Sequence, residues 1–262
     1  MKIVVLVKQV PDSGAERNLR DDKTVDRASA NNVINEMDEY AIEEALRLQE
    51  AHGGSDSSTV TVLTMGPERA SESIRKALSM GPDGAVHIVD DALAGTDALG
   101  TSRVLAAALR RLEPDLVLCG SESTDARGQV LPHMLAERLG FAALTGARKL
   151  TVEGSQLTVE RQTEEGYEVV SATTPAVVSV WDTINEPRYP SFKGIMEAKK
   201  KPVQTLALAD LGVSADEVGF AGASTVVVEA SKRPPRQGGT RVTDEGEGGI
   251  KLVEYLATEK FV

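Results

Sequence analysis

The sequence predicts a doubly wound α/β fold: a mostly parallel sheet with helices on both faces, a β-hairpin addition and an extended C-terminal arm. Three observations carry this expectation. Short β-branched runs alternate four times with longer segments of helical period, the rhythm changes to hairpin spacing after Lys149, and order weakens after Lys201 into a Pro- and Gly-rich stretch.

Ile3 to Val7 is an apolar run of the kind that is buried on both faces in a central parallel strand. Pro11 to Ala30 is charged, has no period and reads as a loop. Met37, Ala41, Ile42, Ala45 and Leu46 recur at helical spacing, which turns Glu43 and Glu44 outward. Thr59 to Thr64 is a second strand. Pro67 to Met80 is a helix opened by Gly66-Pro67, with Ala70, Ile74, Ala77 and Leu78 as its apolar stripe. Gly84 to Val89 gives a third strand, Thr96 to Leu112 a third helix, Asp115 to Cys119 a fourth strand and Val130 to Leu139 a fourth helix. A hairpin between Lys149 and Val170 turns at Glu153-Gly154, Pro175 to Trp181 is another buried strand, and Ile250 to Leu256 is a last amphipathic segment.

The chain length suits one good core with an appendage. Residues 1–202 are expected to form the α/β domain, including a loop at 183–201, and residues 203–262 the arm, with Ser231 to Gly239 extended. Such an arm wants a surface to lie on, which points to a partner subunit.

Acidic residues outnumber basic ones by 40 to 29, a formal charge of -11, which argues against nucleic acid and anionic membrane surfaces as general partners. The single cysteine, Cys119, excludes an intramolecular disulfide and leaves no CxxC pair. The run Met1 to Val7 is short for a signal peptide, and Lys8 and Asp12 follow it without a small-residue cleavage site. No apolar run approaches the roughly 20 residues of a membrane span. A soluble, cytoplasmic protein without membrane insertion is expected.

In an open parallel sheet, ligands collect beyond the carboxyl ends of the strands. The loops Lys8 to Ser13, Met65 to Pro67 and Gly120 to Gln129 lie there, and the third is the best candidate. Its glycines permit close backbone approach, its hydroxyls can donate, and a helix starting near Gln129 offers free N–H groups to an anion. Arg127 is expected to add a bidentate phosphate contact. The alternative is an ordinary βα turn, since no GxGxxG or GxxxxGK[ST] motif is present.

A second stretch, Asn185 to Lys201, leaves the core at Pro187 and Pro190 and carries Phe192, Ile195 and Met196 where solvated residues are expected. Either these side chains fold back as a lid or they mark a protein contact. Lys199, Lys200 and Lys201 either steer an acidic partner or form a solvated surface.

The order Asn185-Glu-Pro-Arg-Tyr189, Ile195-Met196, Ala198-Lys-Lys-Lys201 resembles the recognition loop of the β subunit of electron transfer flavoproteins. Lys2 to Asp12 resembles that family's opening strand and loop. Val159 to Gly166 with Pro175 to Val178 resembles its signature hairpin, so the resemblance spans essentially the whole chain.

The resemblance implies an adenine nucleotide alpha hydrolase-like fold and a heterodimer in which the arm wraps an α subunit. FAD is then held mainly by that α subunit. AMP, or a second FAD in the bifurcating type, sits in this chain. Its base and ribose meet Leu6, Asn35, Glu36, Met37, Asp38 and Met65, and its phosphate is held by the loop of Gly120, Ser123, Thr124, Asp125, Arg127, Gly128 and Gln129. Phe192 is the apolar anchor for acyl-CoA and related flavoprotein dehydrogenases, with Tyr189, Ile195 and Met196 around it. Electrons from fatty acid oxidation then pass to an electron transfer flavoprotein–quinone oxidoreductase. Three departures stand out: Gln162 replaces a frequent Glu, the Gly120 loop is shorter and lacks Asn-Gln-Thr, and Ser13 and Met37 occupy positions where an aromatic residue often meets the flavin.

Chemistry belongs to the flavin in this reading, so no residue here is expected to act as acid, base or nucleophile. His52, His87 and His133 are too scattered for a metal site and read as surface or helix residues. Cys119 reads as a core thiol, and Ser121, Ser123 and Asp125 do not form a GxSxG elbow. Asp182 reads as a cap at a strand end. Two readings from other classes are an adenylating enzyme or pyrophosphatase, for which Lys8 to Asp12 lacks a phosphate-activating motif, and a nucleotide sensor of universal-stress type, which needs neither loop nor arm.

Overall fold

The computed structural model describes the whole chain except residues 232, 236, 237 and 240. In chain order the strands and helices are β1 (Lys2–Leu6), β2 (Gln9–Pro11), β3 (Asn32–Ile34), α1 (Glu36–Ala51), β4 (Thr59–Met65), α2 (Ser71–Met80), β5 (Gly84–Ile88), α3 (Ala98–Leu112), β6 (Leu116–Gly120), α4 (Leu131–Leu139), β7 (Ala142–Glu153), β8 (Gln156–Thr163), β9 (Gly166–Thr173), β10 (Ala176–Val180), α5 (Phe192–Ala198), β11 (Val203–Leu206), α6 (Gly219–Gly222) and α7 (Gly248–Thr258).

Nine strands form one sheet in the order β11-β5-β4-β1-β6-β10-β7-β8-β9. Every neighbouring pair from β11 to β7 is parallel, and the pairs β7–β8 and β8–β9 are antiparallel. Side chains alternate across β1. Ile3, Val5 and Val7 join Ile42, Leu46, Ile74 and Leu78 of α1 and α2 in one core. Val4 and Leu6 join Val104, Leu109 and Leu135 of α3 and α4 in the other. The central strands β1, β4, β5, β6 and β10 are therefore dry on both faces, which is why they read as unbroken apolar runs. From β1 the chain builds outward through β4 and β5, then returns to place β6 on the other side. The β1–β6 boundary is thus the topological switch point.

The structure departs from the sequence expectation in several places. The hairpin is a three-stranded meander, because β7 pairs with β10 in parallel over its first residues and with β8 over its last. Part of the Pro11 to Ala30 region is ordered by the antiparallel β2–β3 pair and a Leu19–Val25 bridge. The expected boundary after residue 202 moves: two units divide at Met1–Val227 and Val228–Val262. The reason is that β11 pairs with β5, and Leu206, Leu208, Val213 and Val218 are buried in the α3-side core. The second unit contains α7, preceded by a turn in which Asp244 Oδ1 accepts the N–H groups of Gly246 and Gly248, each at 2.8 Å. The expected extended stretch at 231–239 falls partly outside the described residues.

Candidate functional site

At the switch point, β1 runs into Lys8 and β6 ends at Gly120, with the first turn of α1 against both. A Cβ on Gly120 would stand 2.5 Å from Met37 Cβ, so only a glycine lets the helix approach the strand end this closely. Asp38 is buried there. It accepts the N–H of Lys8 at 2.8 Å, the N–H of Gly120 at 3.3 Å and the Asn35 Nδ2 group at 3.0 Å. Asn35 also donates to Glu122 O and accepts the Thr124 N–H, each at 3.0 Å. These two side chains tie the loops after β1 and β6 to the start of α1. Burial pushes the Asp38 carboxyl up to about 7 despite its three donors.

Asp125 lies inside the same loop with a side chain only 1% exposed. It accepts Lys8 Nζ at 2.9 Å and pairs with Arg27 through its second oxygen. Burial alone would raise its pKa, but Lys8 and Arg27 outweigh burial and hold it well below the usual carboxylate range. Lys8 Nζ also reaches Ser123 Oγ at 3.2 Å, Arg17 donates to Thr124 O at 2.9 Å, and Arg69 donates to Arg27 O.

The structure sorts the expected ligand residues into four groups. Asn35, Asp38, Gly120, Ser123, Thr124 and Asp125 converge on the switch point. Leu6 is buried in the α3-side core and Met65 is half-buried at the end of β4. Arg127, Gly128 and Gln129 lie exposed on the outer rim, where Arg127 stands 4.0 Å from Glu122 and Gln129 donates to Glu122 at 2.7 Å. Glu36 is exposed, within 3.3 Å of Ser13 Oγ, and Met37 is half-buried. The helix expected to offer free N–H groups begins at Leu131, and Pro132 in its first turn removes one donor. The cations nearest the loop are instead Lys8, Arg17 and Arg27. Reasoning from sequence missed Arg17 and Arg27, because their only signal was charge in a segment without period.

The residues present fit a phosphorylated nucleotide. Lys8, Arg17 and Arg27 border the loop, and the buried atoms Thr124 Oγ1, Thr64 Oγ1 and Arg27 Nη1 lack a hydrogen-bond partner.

His87 is a buried strand residue, contrary to the surface or helix placement expected, and its Nε2 faces Gly66 O at 3.2 Å. Burial lowers its pKa, so the neutral ring braces the Met65 to Pro67 loop. Cys119 is buried beside Val178 O, and burial pushes its thiol up, away from reactivity. Among the described residues no three His, Cys, Asp or Glu side chains gather as metal ligands would, and no helix is long and apolar enough to cross a membrane.

The second candidate stretch is a short helix, α5, where a loop was expected; Ser191 Oγ caps it by accepting the Gly194 N–H at 3.0 Å. Its large side chains do not fold back as a lid. Tyr189 is 94% and Phe192 82% exposed, and Ile195 and Met196 are about half exposed. The backbone beneath them is pinned. Arg188 Nε and Nη2 reach the two Glu43 oxygens at 2.7 and 3.2 Å, and Nη1 reaches Glu50 at 2.7 Å. Asn185 Nδ2 donates to Tyr40 O and Glu44 Oε2, both at 3.0 Å. Glu43 and Glu44 are therefore buried, not turned outward, because partners far along the chain cover them. Lys201 leaves the lysine run to cap α2 through Leu78 O and Gly81 O at 3.1 and 2.7 Å, while Lys199 and Lys200 are exposed.

A family model described as the electron transfer flavoprotein domain matches residues 22–211. Proteins named electron transfer flavoprotein subunit beta are similar along nearly their whole lengths. Those of Mycobacterium tuberculosis and Mycobacterium leprae are each 51% identical over 263 residues, covering 99% of both chains. That of Bacillus subtilis is 37% identical over 261 residues, covering 98% of this chain and 93% of its own. The likeness displaces the sensor and adenylating-enzyme readings. Since it runs through the parallel sheet, the switch-point loops and the pinned α5 segment alike, this chain belongs to the electron transfer flavoprotein family, among its β subunits.

Proposed function

We propose that the chain works as the β half of a heterodimeric electron carrier. It pairs with an α subunit, buries AMP at the switch point, helps hold the FAD of the α subunit and docks flavoprotein dehydrogenases, acyl-CoA dehydrogenases among them. Electrons leave through a quinone oxidoreductase to the respiratory chain, and the carrier works in the cytoplasm. The observation that carries this reading is the pair of almost fully exposed aromatic side chains, Tyr189 and Phe192, on a backbone held by Arg188 and Ser191. Exposed aromatics on a fixed frame suit a partner pocket.

When bound, the flavin supplies the redox chemistry. The residues of this chain bind and orient. Lys8, Arg17 and Arg27 balance phosphate charge, Thr124 Oγ1 offers an unused hydroxyl, and Asn35 and Asp38 keep the surrounding loops in place. In the C-terminal unit, α7 exposes Ile250, Leu252, Val253 and Tyr255, a surface suited to burial against the α subunit.

The test is to co-express the chain with its α subunit, denature the purified complex and quantify released AMP and FAD by chromatography. Equal FAD and AMP supports the simple carrier. Two FAD per heterodimer without AMP replaces it with the bifurcating type, and a chain that neither pairs nor carries nucleotide overturns the proposal.

A further inference from the structure

The geometry points to Arg188 and Glu43 as positioning residues for partner docking: their ion pair, set on α1, holds Tyr189, Phe192, Ile195 and Met196 in the arrangement a partner meets. This rests on the docking role proposed above and adds to it the device that shapes the surface.

The Glu43 side chain is 5% exposed, and both its oxygens are engaged. Oε1 accepts Arg47 Nε at 2.8 Å and Arg188 Nη2 at 3.2 Å. Oε2 accepts Arg188 Nε at 2.7 Å and the backbone N–H of Arg188 at 3.2 Å. Side chain and main chain of Arg188 thus grip one carboxylate, which fixes the direction in which the chain leaves for Tyr189. Hydrogen bonds from Arg188 to Glu43 and Glu50 hold the guanidinium protonated, with its pKa raised. Burial raises the Glu43 carboxyl, but its bonds to Arg188 and Arg47 outweigh that and keep it ionised.

Three further restraints act on the same segment. Pro187 and Pro190 flank Arg188 and Tyr189 and remove backbone freedom. Gly194 packs so close to α2 that a Cβ there would stand 2.5 Å from Ser79 O. Lys201 closes the far end on α2. A segment with no task beyond solubility has little use for a buried, fully bonded carboxylate, because desolvating such a pair offsets most of what it contributes to folding. What the pair does provide is a single conformation for exposed apolar side chains that make few contacts of their own. Ordering cost that a mobile loop would meet at docking is met here during folding.

The experiment uses the full chain in complex with its α subunit, as electron acceptor for a partner dehydrogenase. Arg188→Met, Arg188→Lys and Glu43→Gln are compared with Phe192→Ala, measuring KM for the complex, kcat, nucleotide content and hydrogen exchange over residues 185–201. Arg188→Met is expected to raise KM about tenfold, with kcat and nucleotide content unchanged and exchange faster across α5. Arg188→Lys should recover part of the loss, since a lysine supplies the charge without the two-pronged grip. Should Arg188→Met fail to assemble, Glu43→Gln keeps the side-chain shape and gives the same split between KM and kcat. An unchanged KM in these variants, with Phe192→Ala still raising it, overturns the positioning role and leaves the docking surface standing. An unchanged KM in Phe192→Ala as well removes the docking reading with it.

Discussion

Lys8 Nζ stands 2.9 Å from Asp125 Oδ1 across the carboxyl end of the sheet, and Arg27 holds the second oxygen. The loop after β6 therefore brings its own counter-charge into a cluster of cations. Asp125→Asn leaves Lys8 and Arg27 facing each other without it. The expected loss is about 2 kcal/mol at neutral pH, less than for a fully buried pair because both cations are partly solvated. Its pH dependence has a definite sign. The folded-state pKa lies below the ordinary value, so the stabilisation is complete above about pH 4 and fades as pH falls through the folded value. Urea denaturation of both proteins at neutral and acidic pH checks this, and an undiminished gap in acid counts against it.

Asp38 should behave in the opposite way. Its carboxyl is raised from 3.8 to about 7, first by burial, so the native state holds the proton where the unfolded chain has released it. Stability contributed by this group therefore falls as pH rises between about 4 and 7. Carboxyl carbon chemical shifts are expected to place its titration near neutrality, and Asp38→Asn should flatten this part of the stability profile.

Gly120→Ala places a methyl group 2.5 Å from Met37 Cβ and 2.8 Å from Asp38 Oδ1. The first turn of α1 must move, at a cost of roughly 1–3 kcal/mol as in other overpacked sites. Thermal melting should register that loss, and the purified complex should retain less nucleotide. A variant with unaltered melting and nucleotide content would show that the strand end and the helix are less tightly joined than the structure indicates.

Truncating Phe192 removes a side chain that is 82% exposed and so buries little apolar surface in the isolated chain. Phe192→Ala is accordingly expected to leave folding stability within about 0.5 kcal/mol. It should weaken partner docking by about 2 kcal/mol or more. Calorimetry of the isolated chain and titration of the complex with a dehydrogenase read the two effects separately.

The architecture was legible because strands dry on both faces write themselves as apolar runs between amphipathic helices, and β1, β4, β5, β6 and β10 appear at or within a residue or two of their expected bounds. The place of the Gly120 to Gln129 loop was legible for the related reason that it follows the apolar run of a central strand. Pairings between distant segments were not. Glu43 and Glu44 sit where helical period alone turns a side chain to solvent, and only Arg188 and Asn185 make them interior. Lys201 reads as one of three surface lysines until the carboxyl end of α2 is seen beside it. Arg17 and Arg27 lie in a stretch whose order comes from short pairings, and no local pattern marks them.

The helix α1 joins Asn35 and Asp38, at one end, to Glu43, Glu44 and Glu50, on the face that grips the segment from Asn185 to Arg188. A helix tolerates substitution far better than a change of count. One residue inserted between Asp38 and Glu43 would swing the gripping face by about 100° and advance it by about 1.5 Å, so Arg188 and Asn185 would meet the wrong side chains. An equal insertion in the exposed rim at 126–130 would only lengthen a loop. Redesign of this scaffold can thus change the length of the rim, while the interval from Asp38 to Glu43 has to be kept to the residue.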